Sequence, residues 1–224
     1  MANERRNPAE RGTNLVRLAT LLASTTVGAT VATTATAGEV ATAAAPGKQR
    51  LYLDVHELGP GKVTAAAVAD AHRKDLATQA RHGVHYRAYW VDEKQGRIYC
   101  LVDAPSADAA MAVHREAHGL VANKVREVTG HSDDWTPAPG MKLYLDRHEL
   151  GPGKVTAKDV AAAHRKDLAV QAKHKARFLN YWFDEATGTV TCLVEAPTAG
   201  DAVAAHKEAH GLVPDAIDEV TEGR

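Results

Sequence analysis

The sequence repeats itself. Leu51 matches Leu143, and this offset of 92 residues holds without a gap to Val128 and Val220, with about three-fifths of the positions identical. Such self-similarity over a long segment is the mark of a duplicated structural unit. The duplication therefore predicts two small domains of the same fold, one after the other.

The duplication divides the chain into four parts: a tail over residues 1–48, a first repeat over 49–129, a linker over 130–140 and a second repeat over 141–222. The tail is rich in Ala and Thr and shows no sustained period of a helix or a strand, which predicts disorder. Its basic start, the apolar stretch 18–23 and the small residues 35–37 also fit a weak export signal. The sequence thus leaves cytoplasmic and exported locations equally open, and no run in it is apolar and long enough to span a membrane.

Composition limits the chemistry of the chain. The formal net charge is −1, so we expect neither nucleic acid nor an anionic membrane surface as a partner. The chain has 12 His but two Cys, a balance that argues against an Fe–S cluster or a Cys-rich zinc site. Imidazole and carboxylate remain as the ligands to consider, and we interpret Cys100 and Cys192 first as core residues, with a role as ligands left open.

Each repeat is predicted to contain four strands and two helices in the order βαββαβ. In the first repeat the strands are expected at 51–56, 86–91, 98–102 and 124–128, and Thr64 and Ser106 are expected to cap the helices. This order is typical of the ferredoxin-like fold, an α+β fold in which both helices cover one face of an antiparallel sheet. We expect the two repeats to pack through their other faces as a pseudo-dimer.

Alternation along the strands predicts which side chains face the helices. We expect the helix side to hold Leu51, Leu53, Ile98, Cys100 and Val102, and the side of the other repeat to hold Tyr52, Asp54, His56, Tyr99 and Leu101. Asp54 and Asp146 would then be buried between the sheets, where each needs a cation, an Arg or a Tyr hydroxyl. On this interpretation Asp54 and His56 lie apart from the histidines of the helices, and each repeat has two kinds of site.

Ten of the twelve histidines fall into five pairs related by the offset of 92. His114 and His118 lie four residues apart, which on a helix brings both rings within reach of one metal ion. His72 lies three residues before Asp75, a spacing that suits two ligands or an imidazole held by a carboxylate. Simpler interpretations also stand: a buried His72 satisfied by Asp75, and a His118 that interacts favourably with the helix dipole.

Five motifs together resemble those of a known family: Tyr52-x-Asp54-x-His56, His72-x-x-Asp75-Leu76, Tyr89-Trp90-x-Asp92-Glu93, Cys100-Leu101-x-x-Ala104-Pro105 and His114-x-x-Ala117-His118-Gly119. They are similar to the motifs of small bacterial nickel-binding proteins of ferredoxin-like fold, long catalogued as a domain of unknown function. The resemblance covers both repeats and implies a homodimer joined into one chain that binds Ni²⁺. The residues that match the pattern and can ligate are His56, His72, Asp75, His114, His118, His148, His164, Asp167, His206 and His210.

Three functions remain open at this point. The first is a non-catalytic nickel-binding protein for sequestration or tolerance, although imidazole and oxygen ligands alone suit Zn²⁺ and Cu²⁺ as well as Ni²⁺. The second is an enzyme, or a binder of haem or another small molecule, that uses the cavity between sheet and helices, with His72 or His114 as proximal ligand or base. Against the second, the sequence shows neither a nucleophile–base–orienter set nor a cofactor fingerprint. The third is a structural module that binds no metal tightly.

Overall fold

The computed structural model describes residues 48–131, 135 and 138–224. The prediction of a disordered or signal-like tail concerns residues that lie, except for Lys48, outside the described residues, and so does part of the predicted linker. The domain boundaries given above stay predictions.

The described chain has the predicted α+β class and, apart from the additional short strand β5, the predicted order of elements. The first repeat contains β1 (Arg50–Glu57), α1 (Ala65–Thr78), β2 (His85–Asp92), β3 (Arg97–Ala104), α2 (Ala107–Ala117), β4 (Lys124–Glu127) and β5 (Thr129–His131). The second repeat contains β6 (Lys142–Glu149), α3 (Ala157–Val170), β7 (Arg177–Asp184), β8 (Thr189–Ala196), α4 (Ala199–His210) and β9 (Ala216–Gly223). The 3-10 turns Gln79–His82 and Gln171–His174 extend α1 and α3. Two tandem ferredoxin-like repeats are therefore confirmed.

The helices begin where the caps predict. The Thr64 side chain accepts a hydrogen bond from Ala67 N at 3.2 Å, and Ser106 does the same for Ala109 N at 3.2 Å. In the second repeat Thr156 and Thr198 form full capping boxes with acidic residues three positions later. These bonds satisfy amide groups that a helix leaves without partners in its first turn, and so they fix where each helix starts.

The strands of the two repeats form one nine-stranded sheet in the order β4-β1-β3-β2-β9-β6-β8-β7-β5. The first part of β9 pairs with β6 of its own repeat, and its last residues pair with β2 of the first repeat. In the same way β4 pairs with β1, whereas β5, one residue further along the chain, pairs with β7. Because β4 and β5 are nearly continuous, the two ends of the order meet and the sheet closes into a barrel. The two repeats are thus packed together, as the pseudo-dimer prediction requires.

The barrel interior is apolar. It contains Leu53, Val55, Ala88, Trp90, Tyr99, Leu101, Val128, Leu145, Trp182, Leu193 and Val220. The rings of Trp90 and Trp182 lie across from each other, with their centroids 5.0 Å apart. This core belongs to both repeats at once, so neither repeat buries its inner face without the other.

The predicted facing of β1 is wrong, whereas that of β3 is confirmed. In the register of the two strands, Tyr52 lies opposite Val102 and Asp54 opposite Cys100. Tyr52, Cys100 and Val102 belong to the core under the helices, while Leu53 and Leu101 point into the barrel. The physical reason is that β1 is buried on both faces, so its apolar residues point into the barrel and its polar residues face the helices.

Among the described residues, no helix has the length and apolar character needed to cross a membrane.

Candidate metal centre

Three elements bring four donor groups to one place under the helices of the first repeat. β1 supplies Asp54 and His56, β3 supplies Cys100 directly opposite Asp54, and α2 supplies His114. The donor atoms of these four residues all lie within 4.8 Å of one another, and all four side chains are buried. The sequence-based separation of Asp54 and His56 from the helix histidines is therefore wrong, because it followed from the inverted facing of β1.

A second set of donors shares the same central histidine. Asp75 of α1 and His118, which follows α2, each have an atom within 4.8 Å of His114 and of each other. His114 Nδ1 lies 3.1 Å from Asp75 Oδ1, and His114 Nε2 lies 3.1 Å from Asp54 Oδ2. The imidazole of His114 thus bridges two buried carboxylates, one from a strand and one from a helix.

The second repeat reproduces this arrangement. Its two sets are Asp146, His148, Cys192 and His206, and Asp167, His206 and His210. His206 Nε2 lies 2.9 Å from Asp146 Oδ2, and His206 Nδ1 lies 3.0 Å from Asp167 Oδ1. The two repeats differ at about two-fifths of their positions, yet the geometry of the cluster is nearly the same in both. The cluster is therefore kept although its surroundings have changed.

The central histidines are held in their charged form. Burial lowers the pKa of His114, but the hydrogen bonds and charges of Asp54 and Asp75 outweigh that effect and raise the pKa to about 9. The pKa of His206 is raised to about 9 for the same reasons, with Asp146 and Asp167 as partners. A buried imidazolium between two carboxylates occupies the place that a divalent cation takes in a metal site.

The outer histidine of the second set has a defined tautomer. Leu120 N donates a hydrogen bond to His118 Nδ1 at 3.1 Å, so the lone pair of this nitrogen is used as the acceptor and the ring proton lies on Nε2. His118 Nε2 lies 3.1 Å from Asp75 Oδ1 and 3.3 Å from Asp75 Oδ2, to which it donates. The same pair of contacts recurs at His210, with Leu212 N at 3.2 Å and Asp167 Oδ1 at 3.2 Å. In this geometry His118 and His210 hold the carboxylates of α1 and α3.

Several atoms in and beside the cluster that could ligate a metal have no hydrogen-bond partner within the part of the chain that the structure describes. They are Asp54 Oδ1, His56 Nδ1, both ring nitrogens of His72, and Asp146 Oδ1. His56 Nε2 lies 3.6 Å from Asp54 Oδ1, which is beyond hydrogen-bond distance. Burial lowers the pKa of His56 to about 4 and also lowers that of His72, so both rings are neutral and have lone pairs to offer.

The predicted site residues are thus only partly brought together. His72 packs against Tyr89, with ring centroids 4.6 Å apart, and lines the same cavity as His56 and Asp75 without belonging to either tight donor set. His164 occupies the corresponding place in the second repeat, 4.8 Å from the ring of Tyr181. The other eight predicted residues all belong to the donor sets.

Tyr86 belongs to the centre although no sequence motif pointed to it, and Cys100 and Cys192 belong to it although they look like core residues in the sequence. Tyr86 of β2 places its hydroxyl 3.1 Å from His114 Nε2 and 3.2 Å from the carbonyl of Ala110. Strand alternation could not have identified it, because a bulge between Tyr86 and Ala88 puts Tyr86 under the helices while Ala88 and Trp90 point into the barrel. Cys100 and Cys192 lie inside the donor sets, and burial raises the pKa of both thiols well above the ordinary value.

The fold and the site together define a class: a tandem ferredoxin-like protein with a buried cluster of imidazole, carboxylate and thiol groups in each repeat. Comparison with known families identifies the family of this chain. The chain matches the family described as nickel responsive protein SCO4226-like over residues 52–128 and 144–220, and it belongs to this family. The resemblance drawn from the sequence motifs is therefore confirmed.

Solved structures give a second comparison. SCO4226 from Streptomyces coelicolor A3(2) is 38% identical, with 35% of this chain and 94% of that chain covered and a TM-score of 0.33. A putative monooxygenase from Lactobacillus acidophilus NCFM is 8% identical, with 78% and 93% covered and a TM-score of 0.42. A chlorite dismutase mutant from Candidatus Nitrospira defluvii is 8% identical, with 79% and 91% covered and a TM-score of 0.45. No curated protein matches the chain.

Proposed function

We propose that this protein binds Ni²⁺ at one centre in each repeat and acts by holding the ion, in sequestration or tolerance, without catalysing a reaction. The family is described as nickel responsive, and each repeat contains buried groups with the chemistry of transition-metal ligands. The nickel assignment comes from the family, because imidazole, carboxylate and thiol together suit Zn²⁺ and Cu²⁺ as well.

One observation carries the proposal: the unpaired buried donors of the first repeat. Leaving a buried polar atom without a partner costs about 1–3 kcal/mol, and native proteins avoid it. Among the described residues, Asp54 Oδ1, His56 Nδ1 and both ring nitrogens of His72 are buried in this state, and His56 and His72 line one small cavity. A divalent cation supplies a partner for lone pairs that the protein itself leaves unsatisfied. The residues of the centre therefore suit a divalent metal ion.

The residues take different roles in this proposal. Asp54, His56 and His114, with Cys100 beside them, form the set that would hold the ion, and Asp146, His148, His206 and Cys192 form its copy. His118 and His210 orient Asp75 and Asp167, because their Nδ1 atoms accept amide hydrogens and their Nε2 atoms contact these carboxylates. His72 and His164 are further donors at the wall of each cavity. When bound, the ion supplies the positive charge that a proton otherwise gives to the two carboxylates around His114.

The cavities beside the centres weigh against the haem alternative. They measure about 160 Å³ in the second repeat and about 20 Å³ in the first. Pockets for drug-sized ligands start at about 300 Å³, and haem is larger than most such ligands. A space of this size between sheet and helices suits a metal ion with one small additional ligand.

Calorimetric titration of the full chain with Ni²⁺ tests the proposal. We expect saturable binding of at least one ion per repeat, and a loss of affinity of about 100-fold or more when His114→Ala and His206→Ala are combined, because central donors are lost from both centres. The matched control is His82→Ala with His174→Ala. These histidines are also a register-matched pair, but they bond to Glu116 and Glu208 outside the donor sets. Absence of binding, or equal loss in both double variants, would refute the proposal.

A further inference from the structure

The two centres differ in the space beside them. Next to His206 lies a cavity of about 160 Å³, which is walled by Leu150, Val155, Val160 and Val190 and bordered by His164 and His210. The corresponding cavity next to His114 is about 20 Å³. The donor sets are copies of each other, and of the four wall residues only Val190 differs from its counterpart in the first repeat.

Substitutions between the repeats account for part of this difference. Ile98 forms part of the cavity wall in the first repeat, and Val190, one methylene smaller, takes its place in the second. The buried residues under the helices form one continuous cluster in the first repeat. In the second repeat they form two separate clusters, and the cavity adjoins the one that contains Val160, Val190 and Cys192.

A polar substitution changes the surroundings of the central histidine. Tyr86 in the first repeat places its hydroxyl on His114 Nε2, whereas the equivalent residue in the second repeat is Phe178. The ring of Phe178 packs against His206 with its centroid 4.7 Å away and offers no oxygen. The second centre therefore has one protein oxygen fewer near its central histidine, and it has more open space.

We propose that the centre of the second repeat takes one small exogenous ligand beside the ion, whereas the centre of the first repeat is closed by its own residues. This inference rests on the proposed function. The ligand class follows from the cavity: an apolar cavity of about 150 Å³ binds benzene in a protein core, so a five- or six-membered ring fits. Because the buried His206 lines the cavity together with aliphatic residues, the ring presents one donor atom to the ion and an apolar body to Val160 and Val190.

Two probes separate the cavity from the ion. Benzene has no donor atom and tests the space in the metal-free full chain, while imidazole tests the ion and the space together in the nickel-loaded full chain. We expect one benzene per chain, and one imidazole per chain that binds more tightly with nickel than without it. Calorimetry gives both stoichiometries.

Exchanging residues between the repeats provides the variants. Val190→Ile restores the side chain of the first repeat and is expected to weaken both probes by about tenfold, the effect of about one methylene in an apolar pocket. Phe178→Tyr adds the missing hydroxyl and is expected to weaken imidazole. Ile98→Val is the mirror control and is not expected to weaken either probe. Nickel affinity stays unchanged in Val190→Ile.

The outcomes are distinguishable. Two equal imidazole sites per chain, or imidazole binding that Val190→Ile leaves unaltered, would overturn the inference and leave the proposed function in place. So would nickel binding without any imidazole binding. Failure to bind nickel at all would overturn the proposed function and this inference with it.

Discussion

Each candidate centre is built around one histidine that touches two buried carboxylates. His114 lies 3.1 Å from both Asp54 and Asp75, and these two anions keep its pKa near 9 despite burial. A metal ion and a proton therefore compete for the same place between the same two charges. The properties of the site should follow from this competition, and two predictions at the residue scale make it measurable.

The first prediction concerns proton release. At pH 7.5 His114 and His206 are protonated, because both have a pKa of about 9. Nickel binding should release at least one proton per ion, and affinity should rise with pH up to about 9 before it levels off. Calorimetry in two buffers of different ionisation enthalpy measures the protons released. Heats that do not depend on the buffer would show that His114 keeps its proton and does not ligate.

The second prediction concerns the stability of the metal-free protein. His56 has its pKa lowered from 6.5 to about 4, so the unfolded chain takes up a proton before the folded one. The contribution of His56 is thus fully present above pH 6.5 and is lost as pH falls toward 4. The His114 pKa is raised, so its contribution is present below pH 6.5 and is lost as pH rises through about 9.

Melting temperatures between pH 4 and 9 in the presence of a chelator test this prediction. We expect a maximum near the middle of the range and a shallower acid limb in His56→Asn, which has no imidazole to protonate. An acid limb as steep in that variant as in the parent chain would show that His56 is not the titrating group.

At the scale of secondary structure elements, the sequence predicted the helices well and one strand face badly. The spacing of His114 and His118 is a local property of one helix, and the caps Thr64 and Ser106 act within one turn, so both could be predicted from short segments. The facing of β1 depends on what covers each side of the sheet. Leu51, Leu53 and Val55 look like core residues of a single repeat, but in the closed barrel they line the interior shared by both repeats. No local pattern distinguishes these two arrangements.

β1 yields a prediction that separates its two faces. Leu53→Ala removes packing inside the barrel and should lower the free energy of unfolding by about 2–5 kcal/mol with nickel affinity unchanged. Asp54→Ala, one residue further along the strand, should weaken nickel binding by at least about tenfold, because it removes a carboxylate from the donor set. Urea unfolding and nickel titration of both variants provide the two measurements. Loss of nickel binding in Leu53→Ala, with nickel binding unchanged in Asp54→Ala, would mean that Leu53 rather than Asp54 faces the helices, as the alternation of the sequence predicted.

At the scale of the whole molecule, the repeats depend on each other through shared strands. β9 pairs with strands of both repeats, and Arg126 of the first repeat bonds to Asp184 and Thr187 of the second at 3.0 and 2.9 Å. The duplication predicted two similar units, and this is correct. The exchange of the last strands was not predicted, because pairing between distant strands depends on the closed assembly rather than on the repeat itself.

This dependence predicts that the barrel unfolds as one unit. Trp90→Ala in the shared core should lower the free energy of unfolding by about 3–5 kcal/mol and should shift a single melting transition that includes both repeats. Differential scanning calorimetry shows whether one transition is present. Two transitions, of which one keeps its parent melting temperature in the variant, would mean that the repeats are independent domains.

The most direct measurement for the central claim is anomalous X-ray scattering at the nickel absorption edge, from crystals of the full chain grown with Ni²⁺. We predict one strong peak in each repeat within coordinating distance of the central histidine, at His114 and at His206, with a strand carboxylate beside it. Peaks confined to exposed histidines such as His82 and His174, or no peak under the helices of either repeat, would contradict the account.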